Sequence, residues 1–266
     1  MEIDAVSALI RDVAAEVILP RWQSLKPHEI TEKARGDMVT AADHEAEALL
    51  EAALPDMLPG SKVLGEEAAA KSPDRFDYLH TAERLWIVDP VDGTNNFIKG
   101  QDRFAVMVAL LWAGKVVASW IYLPALDRMA VAEHGSGAVL NNAPLVLSRQ
   151  SMPANEMTAA AHVTRFPPDV RERLKSRVKT FKENKPAFCA GYDYLALAEG
   201  RRDLLLYYRT LAWDHAPGTL LVSEAGGYCK RLDGGIYDPA ENAKGLMSAV
   251  SAEAWQTGYD ALFGAD

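Results

Sequence analysis

Two aspartates three residues apart are the most chemically suggestive feature of this sequence. The apolar residues 85–88 lead into Asp89, and Asp92 follows after a proline and a valine. Gly93 and Thr94 come next, and a glycine before a helix start leaves backbone N–H groups free to bind phosphate oxygens. Carboxylate oxygens are the ligands that Mg²⁺ prefers in proteins. The stretch therefore predicts a site that holds divalent cations and a phosphate group together.

Acidic residues elsewhere in the chain could complete this site. Glu66 and Glu67 follow the short segment 62–64, and Asp214 follows Trp213. Each carboxylate comes directly after a predicted core element, so we expect these residues to converge with the aspartate pair. Asp214 also begins a predicted helix, where the helix dipole favours a negative charge. A plain N-cap remains the alternative for Asp214.

Spacing argues against other kinds of site. A calcium loop needs oxygen ligands at alternate positions and a glutamate at its twelfth position, but residue 91 is valine and residue 100 is glycine. A phosphatase that forms an aspartyl-phosphate usually has aspartates only two residues apart. The scattered histidines and cysteines argue against zinc. The expected nucleophile is therefore a water molecule activated by metal ions.

The elements that must position these residues follow from the apolar patterns. Thr40 and Asp43 have the spacing of a capping box at the start of a helix, which leaves a structural and a functional role for Asp43 equally open. The β-prone runs in 104–147 predict an antiparallel meander. Strands and helices alternate after it, including a predicted strand at 186–190. The change of pattern suggests domains 1–147 and 148–266.

Composition limits the classes of partner. The net charge of −9 argues against a nucleic-acid polymer, which needs a basic surface. No apolar window approaches the ~20 residues that span a bilayer, and charged residues interrupt the apolar N-terminus, unlike a signal peptide. With only two cysteines, the chain has no disulfide framework. We therefore expect a cytoplasmic protein with no membrane partner.

The acidic motifs, taken in order, resemble the signature blocks of the inositol monophosphatase family. The motifs are Gly65-Glu-Glu67, Asp89-Pro-Val-Asp-Gly-Thr94, and Trp213-Asp214 followed by Glu224-Ala-Gly-Gly227. The family belongs to a lithium-sensitive, magnesium-dependent phosphatase superfamily that includes fructose-1,6-bisphosphatases. The resemblance implies an α+β fold, a layered αβαβα sandwich of the inositol monophosphatase and fructose-1,6-bisphosphatase type. It also implies a homodimer and inhibition by lithium.

The resemblance further implies which residues hold the metal ions. Glu66, Asp89 and the Val91 carbonyl would hold the first Mg²⁺. Asp89, Asp92 and Asp214 would hold the second, and Glu66 would assist with a third. Two to three Mg²⁺ ions are therefore expected, and the first predicted domain would carry most of their ligands.

Roles in binding and catalysis also follow from the resemblance. The N–H groups of Gly93 and Thr94, together with Asp92, would bind the phosphate group. The Thr94 hydroxyl, hydrogen-bonded to Asp43, would orient and deprotonate the nucleophilic water. Glu66 would assist this proton transfer.

The segment that would bind the alcohol departs from the family pattern. Small residues usually occupy the positions of Tyr192 and Asp193 that follow Gly191, and Tyr207 stands where a glutamate commonly binds inositol hydroxyls. We expect Gly191, Tyr192, Asp193 and Tyr207 to contact the substrate. An ordinary surface position is expected for each of four arginines, and positive charge near the pocket is the alternative for them: Arg165, Arg201, Arg202 and Arg209.

The sequence therefore predicts a magnesium-dependent phosphomonoesterase acting on a small polyol or sugar-like phosphate. Myo-inositol 1-phosphate is the default substrate. Histidinol phosphate, fructose 1,6-bisphosphate and a 3′,5′-nucleotide bisphosphate are alternatives that keep the same chemistry. A non-catalytic regulatory member of the family is a further alternative.

Overall fold

A computed structural model describes residues 2–34, 36–148, 152–241 and 243–264. Its α-helices are α1 Ile3–Val13, α2 Ala41–Met57, α3 Glu66–Lys71, α4 Tyr78–Thr81, α5 Thr94–Ile98, α6 Pro168–Arg177, α7 Ala190–Ala198, α8 Ala212–Glu224 and α9 Ala252–Phe263. Its strands are β1 Ile30–Ala34, β2 Asp37–Thr40, β3 Lys62–Gly65, β4 Arg84–Asp92, β5 Ala105–Trp112, β6 Lys115–Leu123, β7 Arg128–Glu133, β8 Gly137–Leu140, β9 Ala143–Leu145, β10 Thr158–Ala161, β11 Glu183–Asn184, β12 Leu204–Tyr207, β13 Tyr228–Arg231 and β14 Leu246–Ala249.

The larger sheet has the strand order β3-β4-β5-β6-β7-β8-β9. Only its β3–β4 pair is parallel among the described strands, and the pairs from β4 to β9 are antiparallel. The antiparallel meander expected from the sequence is therefore present. Its residues alternate between faces, so Val106 and Val108 pack with α1 and α2, while Ala105 and Met107 pack with α7 and α8.

A second sheet, with the order β11-β10-β12-β14-β13, covers the other side of α7 and α8. Helices α6 and α9 pack on the outer face of this sheet. The layers therefore alternate as helix, sheet, helix, sheet and helix, which confirms the expected α+β sandwich. No described helix is both long and apolar enough to cross a bilayer.

The strand expected at 186–190 is wrong, because α7 already begins at Ala190. Backbone groups in this segment bond to side chains instead of a neighbouring strand. The N–H of Ala187 donates to Asp193, and the N–H of Gly191 donates to Asp92. The strand nearest to this segment is β11, which ends at Asn184, before the predicted strand begins.

The boundary between domains 1–147 and 148–266 stays a proposal. The change of sequence pattern lies at 148–155, and residues 149–151 fall outside the described part of the chain. Across this boundary, Met107 and Ile121 share one apolar core with Tyr194 and Leu221. Helices α7 and α8, which follow this boundary, are therefore packed on the first sheet.

Candidate active site

The structure brings Asp89, Asp92 and Asp214 together, with one carboxylate oxygen of each within 4.8 Å of the others. The first two lie at the end of β4, and Asp214 lies in the first turn of α8. Residues three apart on a regular strand point to opposite faces. The pairing of β4 with β5 shifts register between Asp89 and Asp92, and this irregularity lets both carboxylates reach one cavity.

Burial and mutual repulsion make these carboxylates hard to ionise without a cation. Burial raises the pKa of Asp89 well above its usual value, and the charges of Glu66, Asp92 and Asp214 raise that pKa further. Burial likewise raises the pKa of Glu66, Asp92 and Asp214. A bound divalent cation would offset this repulsion, and carboxylate oxygens suit a hard ion such as Mg²⁺. The donor set therefore fits the metal that the resemblance implies.

Lys33 places a positive charge at the edge of the acidic cluster. Its ammonium nitrogen lies 3.1 Å from Glu66 Oε1 and 2.7 Å from Glu67 Oε1. Lys33 belongs to β1, and the following turn and β2 contribute Gly36 and Asp37 to the cavity wall. The hairpin formed by β1 and β2 therefore partly neutralises the negative charge of Glu66 and Glu67.

Glu47 supports this side of the site and was missed in the sequence. Its carboxylate accepts the N–H groups of Glu67 (2.8 Å) and Ala68 (2.7 Å), and so caps the short helix that begins with Glu66. A Cβ on Gly65 would lie 2.3 Å from the Glu47 carboxyl carbon, so a side chain there would displace the Glu47 carboxylate. A signal was available, because Glu47 lies four residues after Asp43 on the same face of α2.

Gly93 and Thr94 form the turn that follows the aspartate pair. Gly93 has φ +82°, which favours glycine, and a Cβ there would lie 2.9 Å from the Cys189 Cβ. Thr94 begins α5, so its N–H belongs to a first turn without intrahelical acceptors. Both residues line the cavity beside the aspartates. The turn can therefore present N–H donors to an anion next to the acidic cluster.

Asp43 combines a structural and a site contact. Its Oδ2 accepts from the N–H and the hydroxyl of Thr40, which completes the capping box of α2. Its Oδ1 lies 3.3 Å from the Thr94 hydroxyl, which is also 3.1 Å from the Val91 carbonyl. Burial raises the pKa of Asp43 to about 7. Asp43 is therefore placed to receive a proton through Thr94.

Of the residues expected to contact the alcohol, some line the cavity and others do not. Tyr207 lines the cavity, whereas Gly191, Tyr192 and Asp193 do not. Asp193 is fully buried, bonds to the N–H of Ala187 and lies 2.9 Å from a ring nitrogen of His162. Asp193 therefore offers no free carboxylate to a substrate.

Aromatic rings pack around Tyr207 on its side of the cavity, which we call the aromatic wall. The Tyr207 ring stacks on His162 at 4.6 Å and lies near Tyr194 at 5.8 Å, with interplanar angles of 16° and 22°. Its buried hydroxyl has no hydrogen-bond partner among the described residues. Apart from His162, Tyr207 and Asp214, the lining residues from the second half of the chain are Thr164, Arg165, Phe188, Cys189, Ala190, Tyr208, Arg209 and His215.

His215 fixes the backbone beside Asp214. One ring nitrogen lies 2.9 Å from the Arg209 carbonyl, and the other lies 3.0 Å from the Tyr194 hydroxyl. Burial lowers the pKa of His215 to about 3, so the ring is neutral. Since the carbonyl only accepts, that nitrogen carries the proton and the other accepts from Tyr194.

Comparison with known proteins agrees with the motifs. A model of the inositol monophosphatase family matches residues 2–262. The inositol-1-monophosphatase of Mesorhizobium japonicum is 33% identical over 78% of this chain and 77% of its own length. The Nus factor SuhB of Vibrio cholerae is 30% identical over 78% of this chain and 76% of its own length.

A solved structure shows the same fold. It is an IMPase/NADP phosphatase complexed with Mg²⁺ and phosphate, and it superposes with a TM-score of 0.81. The match covers 99% of this chain and 94% of that one at 21% identity. Together with the family match across nearly the whole sequence, these likenesses lead to one assignment. The chain belongs to the inositol monophosphatase family.

Proposed function

We propose that the chain is a magnesium-dependent phosphomonoesterase. The observation that carries this proposal is the convergence of Asp89, Asp92 and Asp214 beside the turn at Gly93 and Thr94. In the reaction, water attacks phosphorus and the bond between phosphorus and the alcohol oxygen breaks. Inorganic phosphate and the free alcohol leave, and the proton of the water ends on the alcohol.

The acidic residues would hold two to three Mg²⁺ ions. Glu66, Asp89 and the Val91 carbonyl form one proposed ligand set, and Asp89, Asp92 and Asp214 form the other. Bound Mg²⁺ would supply the positive charge that stabilises the phosphoryl oxygens and acidifies water. The Mg²⁺ and phosphate found together in a protein of the same fold support this proposal.

The chain's own residues would position the phosphate group and move the proton. The N–H groups of Gly93 and Thr94 would donate to phosphate oxygens. The Thr94 hydroxyl would accept a proton from water and pass its own proton to Asp43, which lies 3.3 Å away. Glu66 would assist, and its helix is held in place by Glu47.

A phosphorylated small molecule is the substrate that fits this site. Myo-inositol 1-phosphate remains the default implied by the family, and the sugar, histidinol and nucleotide phosphates remain alternatives. A homodimer, lithium inhibition and a cytoplasmic location also remain proposals that follow from the family. The name Nus factor among the relatives keeps open a regulatory role without catalysis.

An assay of phosphate release distinguishes the alternative substrates from one another and from a regulatory role. Each ester is incubated with saturating Mg²⁺ or with EDTA, and an Asp214→Asn variant is compared with the surface control Asp233→Asn. We expect release that requires Mg²⁺ and falls about 10³-fold in Asp214→Asn alone. Absence of release from every ester under saturating Mg²⁺ would reject the phosphatase and favour the regulatory role.

A further inference from the structure

His162 lies at the end of a strand that reaches the cavity. It directly follows β10, and its N–H donates to the Leu206 carbonyl of β12 at 2.8 Å, which continues the pairing of these two strands by one residue. His162 and its neighbour Tyr207 both line the cavity. The imidazole stacks on the Tyr207 ring at 4.6 Å and lies perpendicular to the Phe188 ring at 5.6 Å. These contacts fix the plane of the imidazole at the aromatic wall.

Asp193 fixes the orientation of the imidazole within that plane. Its Oδ2 lies 2.9 Å from His162 Nε2, and the residue is fully buried in the first turn of α7. The Ala187 N–H donates to both oxygens of the same carboxylate, at 3.1 and 3.2 Å. Because a carboxylate only accepts hydrogen bonds, the proton between His162 and Asp193 belongs to Nε2. In the neutral ring, the other nitrogen, Nδ1, then carries a lone pair that can accept a hydrogen bond.

His162 Nδ1 is an accessible acceptor. Among the residues that the structure describes, no donor bonds to it, and it does not belong to their buried unpartnered polar atoms. The His162 side chain is 14% exposed, and the residue lines the cavity. The ring therefore presents an acceptor nitrogen to a molecule that occupies the cavity.

This acceptor lies where the aromatic wall otherwise lacks one. Tyr207 stands in the position of the glutamate that commonly binds hydroxyl groups in the family, and the Asp193 carboxylate is buried away from the cavity. Because Asp193 accepts from Nε2, the imidazole offers an acceptor at the cavity surface although the carboxylate itself does not reach it. The two residues together can therefore replace the missing carboxylate.

We propose that His162 is a specificity-determining residue whose Nδ1 accepts a hydrogen bond from an O–H group of the substrate alcohol, and that Asp193 is the positioning residue that keeps Nε2 protonated. This inference rests on the proposed phosphatase activity and adds to it a residue that selects the alcohol. No bond of the substrate is made or broken at His162. An alcohol without a donor at this place leaves Nδ1 unpartnered and so binds less tightly.

A pair of esters that differ only in their hydroxyl groups tests the role of Nδ1. Myo-inositol 1-phosphate and cyclohexyl phosphate share the same carbon ring and a single phosphate, and only the first carries free hydroxyl groups. His162→Phe keeps a planar ring beside Tyr207 and Phe188 but has no nitrogen. With Mg²⁺ present, we expect this variant to lower the ratio of kcat/KM for myo-inositol 1-phosphate to that for cyclohexyl phosphate about tenfold. The loss should lie mainly in KM, because the hydrogen bond forms in the ground state and in the transition state alike.

His80→Phe is the matched control for this substitution. His80 is an exposed histidine on α4 and is not one of the described residues that line the cavity. Thermal unfolding establishes that each variant is folded. An unchanged ratio in folded His162→Phe, or an equal change in His80→Phe, would overturn the proposal.

Asp193→Asn tests the positioning role. The asparagine carbonyl can still accept from the Ala187 N–H, so its amide group would donate to His162 Nε2 and the ring proton would move to Nδ1. We expect nitrogen-15 NMR of the histidine rings to show this change of tautomer. The kcat/KM ratio for the two esters should also fall, by less than in His162→Phe, because a hydroxyl group can accept as well as donate. An unchanged tautomer or an unchanged ratio would mean that Asp193 does not position the ring for the substrate.

The same NMR measurement on the unaltered protein separates failure of this inference from failure of the phosphatase proposal. Spectra are recorded at pH 8.5 with Ca²⁺ in place of Mg²⁺, and the His162 signals are assigned by their loss in His162→Phe or, if that variant does not fold, in His162→Gln. We expect a protonated Nε2 and an unprotonated Nδ1, whose resonance shifts with myo-inositol 1-phosphate but not with cyclohexyl phosphate. A protonated Nδ1, or equal responses to the two esters, would reject the role of His162 whether or not any ester is hydrolysed. Absence of phosphate release from every ester would instead reject the phosphatase.

Discussion

The wall of the cavity that would hold the phosphate and the wall that would face the alcohol differ in chemistry. Buried carboxylates and the turn at Gly93 form the first wall. Aromatic rings and the guanidinium group of Arg165 line the second, whereas the charge of Arg209 is near enough to Asp214 to lower the pKa of that carboxyl. This difference suggests that the acidic wall sets the reaction and the aromatic wall sets the choice of ester. Substitutions on the acidic wall should therefore change the rate of phosphate release, and substitutions on the aromatic wall should change the preference among esters.

The largest effect is expected on the acidic wall. Asp89→Asn removes a charge from the centre of the proposed metal site, and we expect the rate of phosphate release to fall about 10³-fold. Steady-state kinetics with saturating Mg²⁺ measures this loss. Near-wild-type activity of Asp89→Asn would contradict the proposal that this wall carries out the reaction.

The support behind the acidic wall should appear in stability. Glu47→Gln leaves one acceptor oxygen for the buried N–H of Glu67 and the partly buried N–H of Ala68, so one donor loses its partner. We expect the free energy of unfolding to fall by about 2–3 kcal/mol in urea titrations. Glu45→Gln is the control on the same helix, because its exposed pair with Arg21 contributes little. Equal stabilities of the two variants would contradict the capping role of Glu47.

His215 links the two walls and should give a pH-dependent effect. Its folded pKa of about 3 lies below the ordinary 6.5, so the unfolded state binds more protons between these values. Stability from this group is present above pH 6.5 and is lost as pH falls through this interval toward 3. His215→Gln should reduce the loss of unfolding free energy between pH 7 and pH 5.5 by about 1 kcal/mol. An unchanged pH profile would mean that His215 does not stay neutral.

The smallest effect is expected at the aromatic wall. The buried Tyr207 hydroxyl has no partner among the described residues, so Tyr207→Phe should keep or slightly raise the unfolding free energy. Tyr194→Phe is its matched variant and should cost about 1 kcal/mol, because that hydroxyl bonds to His215. Thermal unfolding of the two variants and the wild type measures these differences in stability. A larger loss for Tyr207→Phe would show that its hydroxyl has a partner in solution.

The sequence predicted the acidic wall well because its information is local. Asp89, Asp92, Gly93 and Thr94 are consecutive or nearly so, and motif order indicated that Asp214 belongs with them. The layered fold followed from apolar patterns and from the family resemblance. Local patterns are enough where one turn carries the chemistry.

The aromatic wall could not be predicted in the same way. Asp193 is diverted to Ala187 in the preceding turn and to His162, 31 residues away in the sequence, and no spacing rule reveals the second contact. Phe188 fell inside a predicted strand, but its backbone is left-handed, and its neighbours Ala187 and Cys189 bond to Asn96 and Asp92 from another part of the chain. Tertiary contacts determined these positions, whereas local propensity did not.

One comparison of kcat/KM tests the separation of the two walls most directly. Adenosine 3′,5′-bisphosphate and myo-inositol 1-phosphate are assayed with Mg²⁺ in the wild type, Asp89→Asn and Phe188→Leu. We expect Asp89→Asn to lower both values by the same factor and Phe188→Leu, at an exposed residue that lines the other wall, to change their ratio. A changed ratio in Asp89→Asn, or an unchanged ratio in Phe188→Leu, would contradict the separation of reaction from selection.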